Sequence, residues 1–146
     1  MIDCMIELKI KPLFADAKIP SYAKPGDAGL DVFAYETVTI APGERKAVST
    51  GICSEFPAGY VALVWDRSSV ATKKGLTKLS GVIDSGYRGE WKIVLLNVGQ
   101  EMAQIEKGEK IAQVILTPYL SPTVTVVDEL AGSERGTGGF GSTGTH

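Results

Sequence analysis

The chain holds one histidine among its 146 residues, His146, so a histidine triad, a histidine metal cluster and a histidine general base are all but excluded. Acid–base chemistry must then fall to a carboxylate, a tyrosine or a lysine. Asp84 is the leading candidate. It stands in Gly81-Val82-Ile83-Asp84-Ser85-Gly86-Tyr87-Arg88-Gly89-Glu90, behind an apolar pair that reads as a buried strand and just ahead of Tyr87 and Arg88. A carboxylate held in this way can take the proton of an attacking water; the plain alternative is an Asp that bonds its own turn. Asp31, behind Gly29-Leu30 at the head of another apolar run, is similar in kind: a turn carboxylate, or a partner for a metal-bound water. Asp66-Arg67-Ser68-Ser69 lies between a strand-like run and a short helical one. A helix start offers free N–H groups and Arg67 a fixed fork of donors, which suits a phosphate. The same residues suit an ordinary N-cap, where Asp and Ser are favoured.

Composition shifts once, near Gly132. Glycines recur at 132, 136, 138, 139, 141 and 144, and from Ala131 onward the only apolar side chains are Ala131 and Phe140. Such a segment cannot repay its ordering entropy alone, so 132–146 is expected to be a flexible tail on a domain spanning 1–131. A frayed end is one reading. A lid that wraps phosphates is the other, because one Arg, one aromatic ring and hydroxyls are threaded between the glycines. Gly136-Thr137-Gly138-Gly139-Phe140-Gly141 fits G-x-G-x-x-G on paper, but it lacks the following helix and acidic residue that a dinucleotide site needs.

The elements that must position these groups read as strands and turns. Alternating, β-branched runs occur at 6–10, 30–35, 38–40, 45–50, 60–65, 91–96, 111–117 and 124–127, separated by turn signals such as Lys24-Pro25-Gly26-Asp27 and Asp84-Ser85-Gly86. Only 67–74 looks helical, for two turns at most before Gly75. Many short strands at this spacing indicate an all-β sandwich, jelly roll or barrel. The length suits one domain with a real core. A net charge of −2 argues against nucleic acid as a partner. No apolar run approaches the ~20 residues of a membrane span, and Asp3 and Glu7 make the start unlike a signal peptide. Cys4 and Cys53 lack ligand spacing and read as reduced thiols of a cytosolic protein.

Taken together, five segments resemble, in order, the five motifs of the trimeric dUTP diphosphatases. They are Asp27-Ala28-Gly29-Leu30-Asp31-Val32-Phe33-Ala34, Asp66-Arg67-Ser68-Ser69-Val70-Ala71, the stretch from Gly81 to Glu90, Gly108-Glu109-Lys110-Ile111-Ala112-Gln113, and the stretch from Arg135 to Gly144. The match runs from about residue 12 to the end. Ser69 stands where the family more often has Gly, Gly86 where many members have Asp, and Lys78 where many have Asn.

The resemblance implies a β jelly roll, or distorted barrel, that assembles as a homotrimer with sites shared between subunits. It implies hydrolysis of dUTP to dUMP and pyrophosphate with Mg2+, in the cytoplasm, keeping uracil out of DNA and supplying dUMP for dTMP synthesis. By the same resemblance Asp84 would activate the water that attacks the α-phosphorus, and Tyr87 would lie under the deoxyribose and exclude a 2′-hydroxyl. Arg67, Ser68 and Gln113 would contact phosphates, and Asp31 would hold a water on the metal. Arg135, Phe140, Ser142 and Thr143 would close over the ligand, with Phe140 on the uracil; Ser69, Leu79, Gly81, Val82, Ile83 and Gly141 join the substrate-binding set. The related dCTP deaminases carry a catalytic Glu where this chain has Val94, which disfavours deamination, and a nucleotide-binding regulator without turnover would not be expected to keep Asp84, Tyr87 and Phe140.

Overall fold

The computed structural model describes residues 5–145. Asp3, Cys4 and His146, on which expectations about a leader, a thiol and histidine chemistry partly rest, lie outside the described residues. Cys53 is a free, partly buried thiol.

The β-branched runs form antiparallel strands. β1 (Lys9–Pro12) pairs with β5 (Ile52–Glu55), and β3 (Val38–Ile40) with β10 (Ala103–Ile105). β2 (Leu30–Phe33), β11 (Lys110–Pro118), β6 (Tyr60–Trp65) and β8 (Val82–Asp84) lie side by side in that order. β4 (Arg45–Ser49), β9 (Lys92–Asn97) and β7 (Leu76–Leu79) make a three-stranded sheet, and the single helix among the described residues, α1 (Ser68–Lys74), joins β6 to β7. The result is the all-β jelly roll expected of the sequence.

Side-chain alternation builds the core. Along β9, Ile93, Leu95 and Asn97 point inward while Lys92 and its alternates face out, as a half-buried strand requires. With Trp91, Ile40, Ile52, Leu76, Ile105 and Ile111, Ile93 and Leu95 form one continuous cluster. Its buried polar groups are paired, as they must be. Asn97 donates from Nδ2 to the carbonyls of Ile40 and Glu101 (both 2.8 Å) and accepts the Gly99 N–H at 2.9 Å. Trp91 donates its indole N–H to Ser54 Oγ at 3.0 Å.

Three sequence expectations change. Residues 124–127 alternate like a strand but form none: within one chain the segment meets no partner edge, and Val124 and Val126 stand in solvent. β1 begins later than the 6–10 run, because its register is set by Ile52–Glu55 of β5. The strand that delivers Asp84 is not buried. β8 is the edge of its sheet, paired only with β6, and Val82 is 70 % exposed.

Candidate active site

The expected site residues fall into three groups. The first is organised by one cross-strand row: Gln113 of β11 lies opposite Asp31 of β2 on one side and Trp65 of β6 on the other. These residues, with Asp27, Asp66, Arg67, Ser68 and Ser69, line a cleft of about 680 Å³. Gly29 leaves space for the Gln113 side chain, since a Cβ there would lie 2.4 Å from its Oε1. Gln113 in turn donates to the Asp66 carbonyl at 2.8 Å, fixing the turn that leads into α1.

Asp31 is buried and therefore needs partners. Arg67 Nε stands 3.0 Å from Oδ1 and Lys110 Nζ 2.9 Å from Oδ2. The Lys110 ammonium is badly directed for a hydrogen bond, so Oδ2 keeps unused acceptor capacity. The pairing engages Arg67 Nε and leaves its terminal N–H groups without a hydrogen-bond partner among the described residues, in a side chain that lines the cleft. Neither Asp66 nor Ser68 caps the helix, contrary to the N-cap reading: the N-cap residue is Arg67, with no side-chain cap. Asp66 instead accepts from Thr77 Oγ1 at 2.6 Å and from the Lys78 N–H at 2.7 Å, tying the cleft to β7. At the far end of α1, Lys74 meets Glu109 at 2.7 Å, just before β11, and this contact holds the Glu109 carboxyl below its usual range.

The second group surrounds a smaller cleft of about 230 Å³, lined by Val64, Ser80, Gly81, Val82, Ile83, Asp84, Tyr87, Glu90, Trp91 and Lys92. Gly81 has φ 130°, and a Cβ would sit 3.1 Å from Val64 Cβ, so only glycine lets the chain pass from β7 to β8 this close to β6. Ser80, beside it, is held at φ 60°. Leu79 ends β7 at the margin, partly exposed. The Asp84 carboxylate is exposed and makes no hydrogen bond or ion pair among the described residues, leaving it open to a ligand or water. Tyr87 is half-exposed, with its hydroxyl donating to the Glu90 carbonyl at 2.9 Å.

The third group is the tail. Arg135 donates to the Gly138 carbonyl at 2.8 Å, and the Gly136 N–H to Ser133 Oγ at 3.0 Å; both contacts are local. Phe140 is fully exposed at φ 51°, next to Gly141, Ser142 and Thr143, also in solvent. Among the described residues no hydrogen bond joins 120–145 to the rest of the chain. One chain therefore does not unite the three groups, and its two clefts share no lining residue. Val64 and Trp65, consecutive on β6 and so directed to opposite faces, line different clefts.

Among the described residues, no three His, Cys, Asp or Glu side chains gather as a metal cage. Mg2+ does not require one, because it keeps several waters and takes its remaining oxygens from phosphates. Asp31 lines the cleft, and its Oδ2, buried without a hydrogen bond, could take a water on such an ion once Lys110 moves aside. Sequence reasoning missed Lys110 as a partner of Asp31 and Glu90 as a neighbour of Tyr87. Both lie inside the motif segments, but the Lys110 contact depends on the pairing of β2 with β11 and the Glu90 contact on the local turn between β8 and β9.

Comparison with known proteins places the chain. The dUTPase family model matches residues 15–144. The deoxyuridine 5'-triphosphate nucleotidohydrolase of Clostridioides difficile is 50% identical over 142 residues, covering 96% of this chain and 99% of that protein. The protein of the same name from Clostridium tetani is 48% identical, covering 94% and 96%. Among solved structures, the Staphylococcus bacteriophage 80alpha dUTPase with dUpNHpp superposes with a TM-score of 0.90 at 33% identity, over 95% of this chain and 99% of that one. A mutant dUTPase from phage phi11 of S. aureus, solved for its coordination of a structural Mg(II) ion, gives a TM-score of 0.80 at 28% identity, over 86% and 99%.

Proposed function

Because the chain belongs to the dUTPase family, we propose that it hydrolyses dUTP to dUMP and pyrophosphate, with Asp84 as the base. The observation that carries this reading is the Asp84 carboxylate, unpaired among the described residues, beside Tyr87 in the smaller cleft. Water oxygen attacks the α-phosphorus, its proton passes to Asp84, and the bond from that phosphorus to the α,β-bridging oxygen breaks, releasing pyrophosphate. Arg67, Ser68 and Gln113 hold the phosphates, and Tyr87 fills the space a 2′-hydroxyl would need. When bound, Mg2+ would supply charge neutralisation to the triphosphate, and Asp31 would help to hold it through water. Displacement at phosphorus asks for alignment and charge neutralisation rather than covalent help, which suits a site without a nucleophilic side chain.

The site is completed between subunits of a homotrimer. Two clefts without a shared lining residue, and a tail that makes no hydrogen bond to the body among the described residues, support a site whose parts come from different protomers. Trp65, Val82, Val124, Val126 and Leu130 also leave more apolar surface in solvent than a lone chain tolerates well. The tail, residues 132–146, closes over a site with Arg135, Phe140, Ser142 and Thr143. We place the enzyme in the cytoplasm; no described helix is long and apolar enough to cross a membrane.

A pyrophosphate-release assay with dUTP, dCTP, dTTP and UTP tests the reading. Turnover of dUTP far above the other three is expected. Equal turnover of UTP, or release of ammonia from dCTP, would overturn it.

A further inference from the structure

The smaller cleft contains a carboxylate that the proposed reaction does not use. Glu90 lies partly buried, and its Oε2 accepts two bonds: one from the Gly51 N–H at 2.9 Å and one from the Ser49 hydroxyl. Ser49 ends β4, and Gly51 turns the chain toward β5 at φ 71°. The Glu90 side chain therefore fastens its own backbone to the β4–β5 corner. That backbone carries the carbonyl that receives the Tyr87 hydroxyl at 2.9 Å. Between them Gly89 lies against the phenol: a Cβ there would sit 2.4 Å from the Tyr87 oxygen. The following residue is fastened to the same corner, since Thr50 donates to the Trp91 carbonyl and the Trp91 N–H to the Ile52 carbonyl at 2.9 Å.

We propose that Glu90 is the positioning residue for Tyr87: its carboxylate, anchored on Ser49 and Gly51, fixes the carbonyl that holds the phenol, and so sets how firmly the ring rejects a 2′-hydroxyl. The proposal rests on the sugar-excluding role of Tyr87 given above. Steric rejection depends on a wall that does not yield. A ring hinged only at its own χ angles would move aside for a ribose, whereas one held at its hydroxyl cannot. Both donors converge on one oxygen, so a carbonyl at that point can replace the carboxylate.

The test compares the wild-type enzyme with Glu90→Ala and Glu90→Gln, reading kcat/KM for dUTP and for UTP. Glu90→Ala should narrow the preference for dUTP by about tenfold, on the scale of one charge-assisted hydrogen bond. Glu90→Gln should keep it. A second readout needs no turnover: with 13C-labelled tyrosine, and Tyr87→Phe to assign the signal, the Tyr87 ring resonance of the ligand-free protein should shift in Glu90→Ala and stay in place in Glu90→Gln. If Glu90→Ala does not fold, Glu90→Asp makes the same comparison, because it keeps the charge but falls one methylene short of Gly51. A folded Ala or Asp variant with both readouts at wild-type values would overturn the proposal. So would a loss of dUTP turnover with the ratio unchanged, the mark of a merely structural role. A wild-type enzyme inert toward dUTP would overturn the functional reading instead, while the ring resonance would still decide whether Glu90 positions Tyr87.

Discussion

Within residues 27–113 of the candidate site Asp31, Asp66, Tyr87 and Gln113 are each fastened by their side chains, whereas among the described residues 120–145 makes no hydrogen bond to the body. Asp31 carries two cations, Gln113 holds the turn into α1, Asp66 grips β7, and Tyr87 is held through Glu90. The tail has only its own turns and a fully exposed Phe140. A body with fixed donors lowers the entropy lost when a triphosphate enters. On the proposed reading a tail without such bonds would gain order only against the ligand, so its closure would draw on binding energy and reverse on release. If the proposal holds, recognition is built into the sheet and commitment is left to the tail.

The sharpest test of the body is Asp84→Asn. It keeps the shape but cannot take the proton, so turnover should fall by about two to four orders of magnitude while dUTP still binds. Near-normal turnover would move the base elsewhere. Removing the tail after Gly132 should cost about 10²-fold, the scale of lost positioning, while leaving the unfolding midpoint of the body unchanged. A lower midpoint would mean that the tail supports the fold and would erase the contrast.

Mixing these two chains sharpens the contrast further. Random refolding at equal concentration makes about three in four trimers mixed, each with one intact site in three, so about a quarter of normal activity should return. Mass spectrometry must confirm the mixed trimers. Activity no higher than the parents would assign each tail to its own chain.

The smallest effect concerns the fastenings themselves. Lys74 depresses the Glu109 carboxyl, so the contribution of this pair is present above the ordinary carboxyl value of 4.5 and fades as pH falls below it toward the depressed folded value. Lys74→Met should lower stability by less than about 1 kcal/mol at neutral pH, since the pair is partly exposed. Its denaturation curves should also depend less on pH below 4.5 than those of the wild type. An unchanged dependence would show that the fastening contributes nothing.

The same contrast explains what could be read from the residues alone. β6 and β11 announce themselves, because long β-branched runs have no other use in a short chain. β5, β7 and β10 do not: they are three or four residues long, mix polar side chains into the pattern, and exist because a neighbouring strand offers an edge. Residues 124–127 fail in the opposite way, carrying a strand pattern with no edge to meet in their own chain. At the site, residue types at Asp31, Arg67, Asp84 and Gln113 suggest chemistry. The Lys110 contact with Asp31 was invisible because it depends on a shift in the β2–β11 register between Lys110 and Ala112.

That register has a consequence for how the protein can change over generations. Gln113 faces the cleft because it is in step with Asp31 and Trp65, while its neighbours Ala112 and Val114 are fully buried. Losing or gaining a single residue within β11 between Lys110 and Gln113 would turn the following stretch over, setting an amide in the core and a valine in the cleft. Lineages of this chain should therefore hold the number of residues along β11 up to Gln113 constant, and length variation should collect in the stretch beyond residue 119, which has no hydrogen bond to the body among the described residues.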